Sequence, residues 1–105
     1  LELMKPIRPW KDVVTEWAPE LSAKLGRSVE AILTDGLNAN DFSPSSFVEV
    51  RDPSGWTMKF SFAFAVVRPA MKQAAVFTEH SGYVEFDLVE DSVVAEINEE
   101  IYRQK

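Results

Sequence analysis

The chain contains no cysteine, which excludes disulfides, thiolate zinc centres and cysteine nucleophiles without assigning a compartment. It has a single histidine, His80, so a zinc site would need carboxylates as its other ligands, and no ligand spacing supports one. Long apolar runs are also missing. The longest, FSFAFAVV at 60–67, is far short of the roughly 20 residues that cross a bilayer as a helix, and no secretory-type segment opens the chain. Positive charge is scarce: 11 Lys and Arg stand against 17 Asp and Glu. Phosphate binding needs a basic footprint, so nucleic acid is not expected as a direct partner. These absences predict a cytoplasmic protein with no membrane partner. Leu1-Glu2-Leu3 ahead of Met4 reads either as a non-native lead before the natural start or as a fragment boundary.

What is present is an ordinary globular composition. With 105 residues, 46% apolar and 27% charged, the chain is expected to form one domain over 1–105. The net charge of -6 is unevenly placed. Residues 1–78 balance nine acids with nine bases, whereas residues 79–105 carry eight acids against Arg103 and Lys105. By electrostatic complementarity this acidic quarter suits a basic protein surface; alternatively it serves solubility.

The amino-terminal third has helical periodicity. Trp10, Val13, Val14, Trp17, Leu21 and Leu25 follow the i, i+3, i+4, i+7 spacing of one buried face. Pro19 interrupts it, either as a kink or as the first residue of a second helix, and Gly26 closes the run. Residues 28–35 fit a strand or a helix equally. GLNANDFSPSS at 36–46 is a connecting loop; its Asp35, Asn38, Asn40 and Asp41 have the composition of a calcium loop but lack the required glycine and distal glutamate.

The middle of the chain predicts an antiparallel four-stranded meander over about 47–52, 56–67, 72–79 and 83–88, with a helical segment before it and a carboxy-terminal helix after it, both on its aromatic face. The fold class is therefore α+β. In GWTMKFSFAFAVV, Trp56, Met58, Phe60, Phe62, Phe64 and Val66 share one side of a strand. A three-residue Pro53-Ser54-Gly55 loop pairs Val50 with Met58, Val48 with Phe60, and Glu49 with Lys59. Arg68 to Met71 as a four-residue loop pairs Val67 with Lys72, Phe64 with Ala75 and Phe62 with Phe77. In FTEHSGY at 77–83, a two-residue Ser81-Gly82 loop sets His80 opposite Tyr83 and Phe77 opposite Phe86; a four-residue loop keeps the same parity. One outward row then reads Glu49, Lys59, His80, Tyr83, and the next reads Phe47, Ser61, Thr78, Glu85. Glu79 falls at the rim of the aromatic side, where a carboxylate can have a raised pKa. In EDSVVAEINEEIYRQK, an Asp91 or Ser92 cap, a stripe of Val93 or Val94 with Ile97 and Ile101, and an acidic face at Glu96, Glu99 and Glu100 predict the last helix.

No catalytic motif or cofactor signature is present. The sequence favours a non-enzymatic binding or regulatory module that docks a basic protein, with Glu49, Lys59, His80, Tyr83, Glu85, Asp87, Glu96, Glu99 and Glu100 as its candidate binding residues. One alternative is a small enzyme using His80 as general acid or base, with Glu79 and Tyr83 beside it. The other is a structural subunit that forms homo-oligomers through the outer sheet face, where Ala63, Ala65, Ala74 and Val76 make a small apolar strip. That strip is either an interface or is covered by another element.

Overall fold

Pro19 decides the first break in the chain. The computed structural model describes residues 4–42, 46–78 and 82–98. Helix α1 (Trp10–Glu16) ends before it and α2 (Ala18–Leu25) carries it in the first turn, where a missing backbone N–H forfeits no helical hydrogen bond. Gly26, at φ 70°, closes α2 by donating its N–H to the Ser22 carbonyl, a left-handed cap that glycine adopts without steric cost. Residues 28–35 are helical: α3 (Val29–Asp35) starts where the Ser28 hydroxyl accepts the Ala31 N–H at 3.2 Å, an N-cap that the strand reading lacked. Val13, Val14, Trp17, Leu21 and Ile32 are buried, so the apolar stripe is the inner face of the helical layer. A 3-10 turn, Ala39–Phe42, follows. Its Asp41 carboxylate accepts from the Asn38 N–H and from Arg27, which gives the calcium-like loop an internal cation.

Strands β1 (Ser46–Arg51) and β2 (Thr57–Ser61) pair in the expected register, with Val48 opposite Phe60, Glu49 opposite Lys59 and Val50 opposite Met58. The Asp52 carboxylate organises the hairpin loop by accepting the Ser54 and Trp56 N–H groups and the Ser54 hydroxyl, while Gly55 takes φ 97°.

The expected long strand over 56–67 does not form. It breaks at Phe62, which sits at φ 49°, a left-handed conformation uncommon for a bulky residue. Beyond this bend β3 (Ala63–Arg68) joins a different sheet. The single four-stranded meander is thereby corrected to two antiparallel three-stranded sheets, β2-β1-β6 and β3-β4-β5, where β4 is Gln73–Thr78, β5 is Gly82–Asp87 and β6 is Val93–Asn98. Period-2 hydrophobicity survives the bend, so nothing in the pattern marks it.

Two registers differ from expectation. Between β3 and β4 the pairs are Phe64 with Phe77 and Val67 with Ala74, two residues from the expected alignment but on the same faces, because Arg68 pairs with Gln73 across a 3-10 turn, Pro69–Met71. Between β4 and β5, Phe77 pairs with Tyr83 and Ala74 with Phe86, and the parity itself changes. Parity was expected to be fixed because one face was read as solvent. Here the sheet is buried on both faces, so either parity satisfies the hydrophobic residues. Phe64, Val66, Ala75 and Phe77 pack under the helices, while Ala63, Ala65, Val76 and Phe86 pack against Val48 and Val50 of the second sheet. The small apolar strip is therefore interior, covered by the β2-β1-β6 sheet.

The expected carboxy-terminal helix is also corrected. Residues 93–98 form β6, which pairs with β1 from Ser46 opposite Asn98 to Arg51 opposite Val93. Local helical periodicity loses to the need of β1, a central strand with Val48 and Val50 fully buried, to satisfy its second row of backbone groups. Glu99, Glu100, Ile101, Arg103 and Lys105 lie outside the described residues.

Candidate functional site

The layering separates the residues that the predicted outward row had grouped. Glu49 and Lys59 face each other on the outer side of the β2-β1-β6 sheet, but each has another partner: Glu49 pairs with Arg51 at 3.1 Å, and the Lys59 ammonium lies 4.0 Å from the Phe47 ring centroid. Tyr83 lies in the other sheet, packed against Phe77 and Trp10 under the helices. The row Glu49, Lys59, Tyr83 is therefore not assembled. Glu79, His80 and Ser81 lie outside the described residues. Asp87 is exposed at the end of β5. Glu96 does not belong to an acidic helix face; from β6 it accepts the Lys24 ammonium of α2 at 2.7 Å and the Ala65 N–H at the open edge of β3 at 3.4 Å.

Glu85 was expected on the outer face, and the changed β4–β5 parity turns it inward. It is only 3% exposed, the one charged residue in the described core. Arg8 donates to it through Nε and Nη2, both at 2.8 Å, and Trp17 donates its indole N–H at 2.8 Å. The network continues outward. Arg8 pairs with Glu16 at 3.0 Å, and Arg68 pairs with Glu16 and Glu20 while stacking over the Trp17 ring. The Arg8 guanidinium holds the Glu85 carboxyl below the ordinary glutamate value, against the opposing effect of burial and with the help of the Trp17 N–H. The same bidentate bond pushes the Arg8 pKa up. A perturbed carboxylate is a mark of active sites and also of structural ion networks. Here the carboxylate is 3% exposed and already accepts three charge-assisted or indole hydrogen bonds, the arrangement of a structural ion network. Its role is to fix the amino-terminal segment, α1, α2, β3 and β5 to one another.

The described residues offer a different recess. A cleft of about 330 Å³ lies between the Pro69–Met71 turn and the connection from β5 to β6. Val67, Pro69, Leu88, Val89 and Val94 supply its apolar lining, and Lys72, Glu90, Asp91 and Ser92 supply its polar groups. The Leu88 N–H donates to the Lys72 carbonyl at 2.7 Å and ties the two walls. The second wall turns sharply, with Asp91 at φ 67° and the Ser92 N–H on the Val89 carbonyl; aspartate tolerates that conformation better than most residues. Val67 and Val89 remain 38% and 50% exposed. Glu90 and Asp91 are exposed and make no ion pair among the described residues. The Ser92 hydroxyl oxygen is buried and has no hydrogen-bond partner among the described residues. No group of His, Asp and Glu among the described residues is placed to hold a metal ion, and no described helix is long and apolar enough to cross a membrane.

Comparison of the chain with protein-family models, with curated proteins and with solved structures finds no match in any of the three.

The cleft was missed in the sequence because its parts had been assigned elsewhere: Lys72 to a strand, Glu90 to Ser92 to a helix start. One signal was available. An acidic pair followed by Ser and two valines is as consistent with a tight turn entering a strand as with a helix cap.

Proposed function

We propose that the protein is a non-enzymatic binding module that docks a basic segment of a partner protein through the cleft between Lys72 and Ser92. The observation that carries the reading is the pairing of an apolar recess with carboxylates that have no ion pair among the described residues. Six of the other eleven described acids are engaged by a cation: Glu85 by Arg8, Glu16 and Glu20 by Arg68, Glu49 by Arg51, Asp41 by Arg27, and Glu96 by Lys24. In the described part of the acidic quarter Glu85 and Glu96 are neutralised, and two of the three carboxylates left, Glu90 and Asp91, lie at the cleft rim, where a basic partner gains both Coulombic steering and apolar contact.

The test is titration of the ¹⁵N-labelled protein with oligolysine at low salt. Amide shifts are expected to centre on Lys72 and on residues 88–92, and to weaken in the paired variants Glu90→Gln and Asp91→Asn, which keep side-chain shape and suit the turn. Shifts that avoid the cleft, or that the paired variants leave unchanged, would sink the reading. Turnover of a substrate abolished by His80→Ala would favour the enzymatic alternative instead.

A further inference from the structure

The open edge of β3 adds a feature to the cleft that its side chains do not convey. β3 is the outermost strand of its sheet, bonded to β4 alone. The Ala65 N–H points away from β4, because it is donated to the Glu96 carboxylate. Backbone groups of alternate residues in an antiparallel strand point to the same side, so the N–H and C=O of Val67, two positions on, face the open edge as well. Glu96 occupies the edge at Ala65. Among the described residues no turn, loop or side-chain bond reaches Val67, and Val67 lines the cleft. An exposed strand edge is a template for another extended chain.

Three features therefore converge on one recess: a donor and acceptor pair on the Val67 backbone, an apolar floor from Val67, Leu88, Val89 and Val94, and the Glu90 and Asp91 carboxylates, which have no ion pair among the described residues. Resting on the binding reading above, we infer that the occupant is an extended basic segment of a partner protein that adds to the β3 edge at Val67, lowers one aliphatic side chain onto the cleft floor and sets a flanking Arg or Lys against Glu90 and Asp91. The volume suits a single side chain with part of its backbone, at the small end of ligand-site sizes.

The probe is the tripeptide acetyl-Arg-Leu-Arg-amide, followed by amide shifts of Val67, Val89 and Ser92 in the full chain. Three analogues each delete one interaction: Leu to Ser removes the apolar group, N-methyl-Leu removes the central backbone donor, and citrulline for both arginines removes the charge while keeping the shape. The parent is expected to bind, and the Ser analogue to bind about tenfold more weakly or worse, as the loss of one buried aliphatic side chain implies. N-methylation is expected to weaken binding several-fold and to abolish the Val67 shift. If the Ser and N-methyl analogues bind as well as the parent while citrulline does not, strand addition is overturned and a merely electrostatic docking surface stands. If citrulline binds as well as arginine, or if no peptide shifts the cleft, the basic-partner reading falls with it.

Discussion

Removing Arg8 tests the claim that the Glu85 network is what anchors the amino-terminal segment. In Arg8→Ala, Glu85 keeps the Trp17 N–H but loses both 2.8 Å guanidinium bonds in a site where it is 3% exposed. Breaking a buried ion pair by deleting one partner costs about 3–5 kcal/mol. Arg8 itself is 32% exposed on its side chain, so solvent reaches the vacated space and lowers the expected cost to about 2–3 kcal/mol. With a urea m-value of about 1–1.5 kcal/mol/M for a small domain, the unfolding midpoint falls by roughly 2 M. The pH dependence separates the ion pair from mere loss of packing. Glu85 has its folded pKa lowered, so its contribution is fully present above the unfolded glutamate value of about 4.3 and is lost as pH falls through the lower folded value. The unfolded chains titrate alike, so the destabilisation by Arg8→Ala shrinks between the pH at which Glu85 takes up its proton in the variant, where burial is no longer opposed by Arg8, and the lower pH at which it does so in the parent. The paired variant Arg8→Met with Glu85→Met, which leaves no unpaired charge, is expected to recover most of the loss. Equilibrium urea unfolding of the three proteins between neutral and acidic pH measures all of this. A neutral-pH cost under about 1 kcal/mol, or a cost independent of pH, would refute the reasoning.

Other changes follow from the same geometry. Trp17→Phe removes the indole N–H from Glu85 while keeping an aromatic beside Arg68, and is expected to cost about 1–2 kcal/mol in urea unfolding; no cost would mean that Arg8 alone satisfies the carboxylate. Gly55→Ala is expected to cost about 1 kcal/mol, through backbone conformation alone, because a Cβ there meets no atom within 4 Å at φ 97°. An unchanged midpoint would show that the hairpin loop adopts another turn. Ser92→Ala removes a buried hydroxyl without a partner among the described residues and is expected to raise the stability of the free protein by about 1 kcal/mol, with calorimetry or urea as the readout; a fall would mean that the hydroxyl is satisfied in solution.

Much of the secondary structure was legible because it rests on neighbours in sequence. The 52–56 hairpin combined Asp before Pro with a glycine at the left-handed position, and its register follows from local turn chemistry. The helical stripe from Val13 to Leu21 and the stop at Gly26 likewise need only a few adjacent residues. The sequence also determined the net negative charge, the lack of thiol chemistry and the presence of only one imidazole.

Tertiary structure decided what local pattern leaves degenerate. Alternation from Trp56 to Val66 reads the same whether the chain continues straight or turns at Phe62 into a second sheet. β4 carries apolar residues on both faces, and β5 carries Tyr83 on one and Val84 and Phe86 on the other, so parity was settled by what packs above and below: helices on one side, Val48 and Val50 on the other. That choice placed Glu85 inside, beside an arginine 77 positions away. Residues 93–98 took the strand because β1 needed a second neighbour, a demand that no window around Val93 contains. The cleft arose from the same long-range decisions, since Val67, Lys72 and Ser92 meet only after two sheets have stacked. Local steric and hydrogen-bonding preferences are written residue by residue, whereas faces, partners and recesses depend on which buried surfaces remain to be covered.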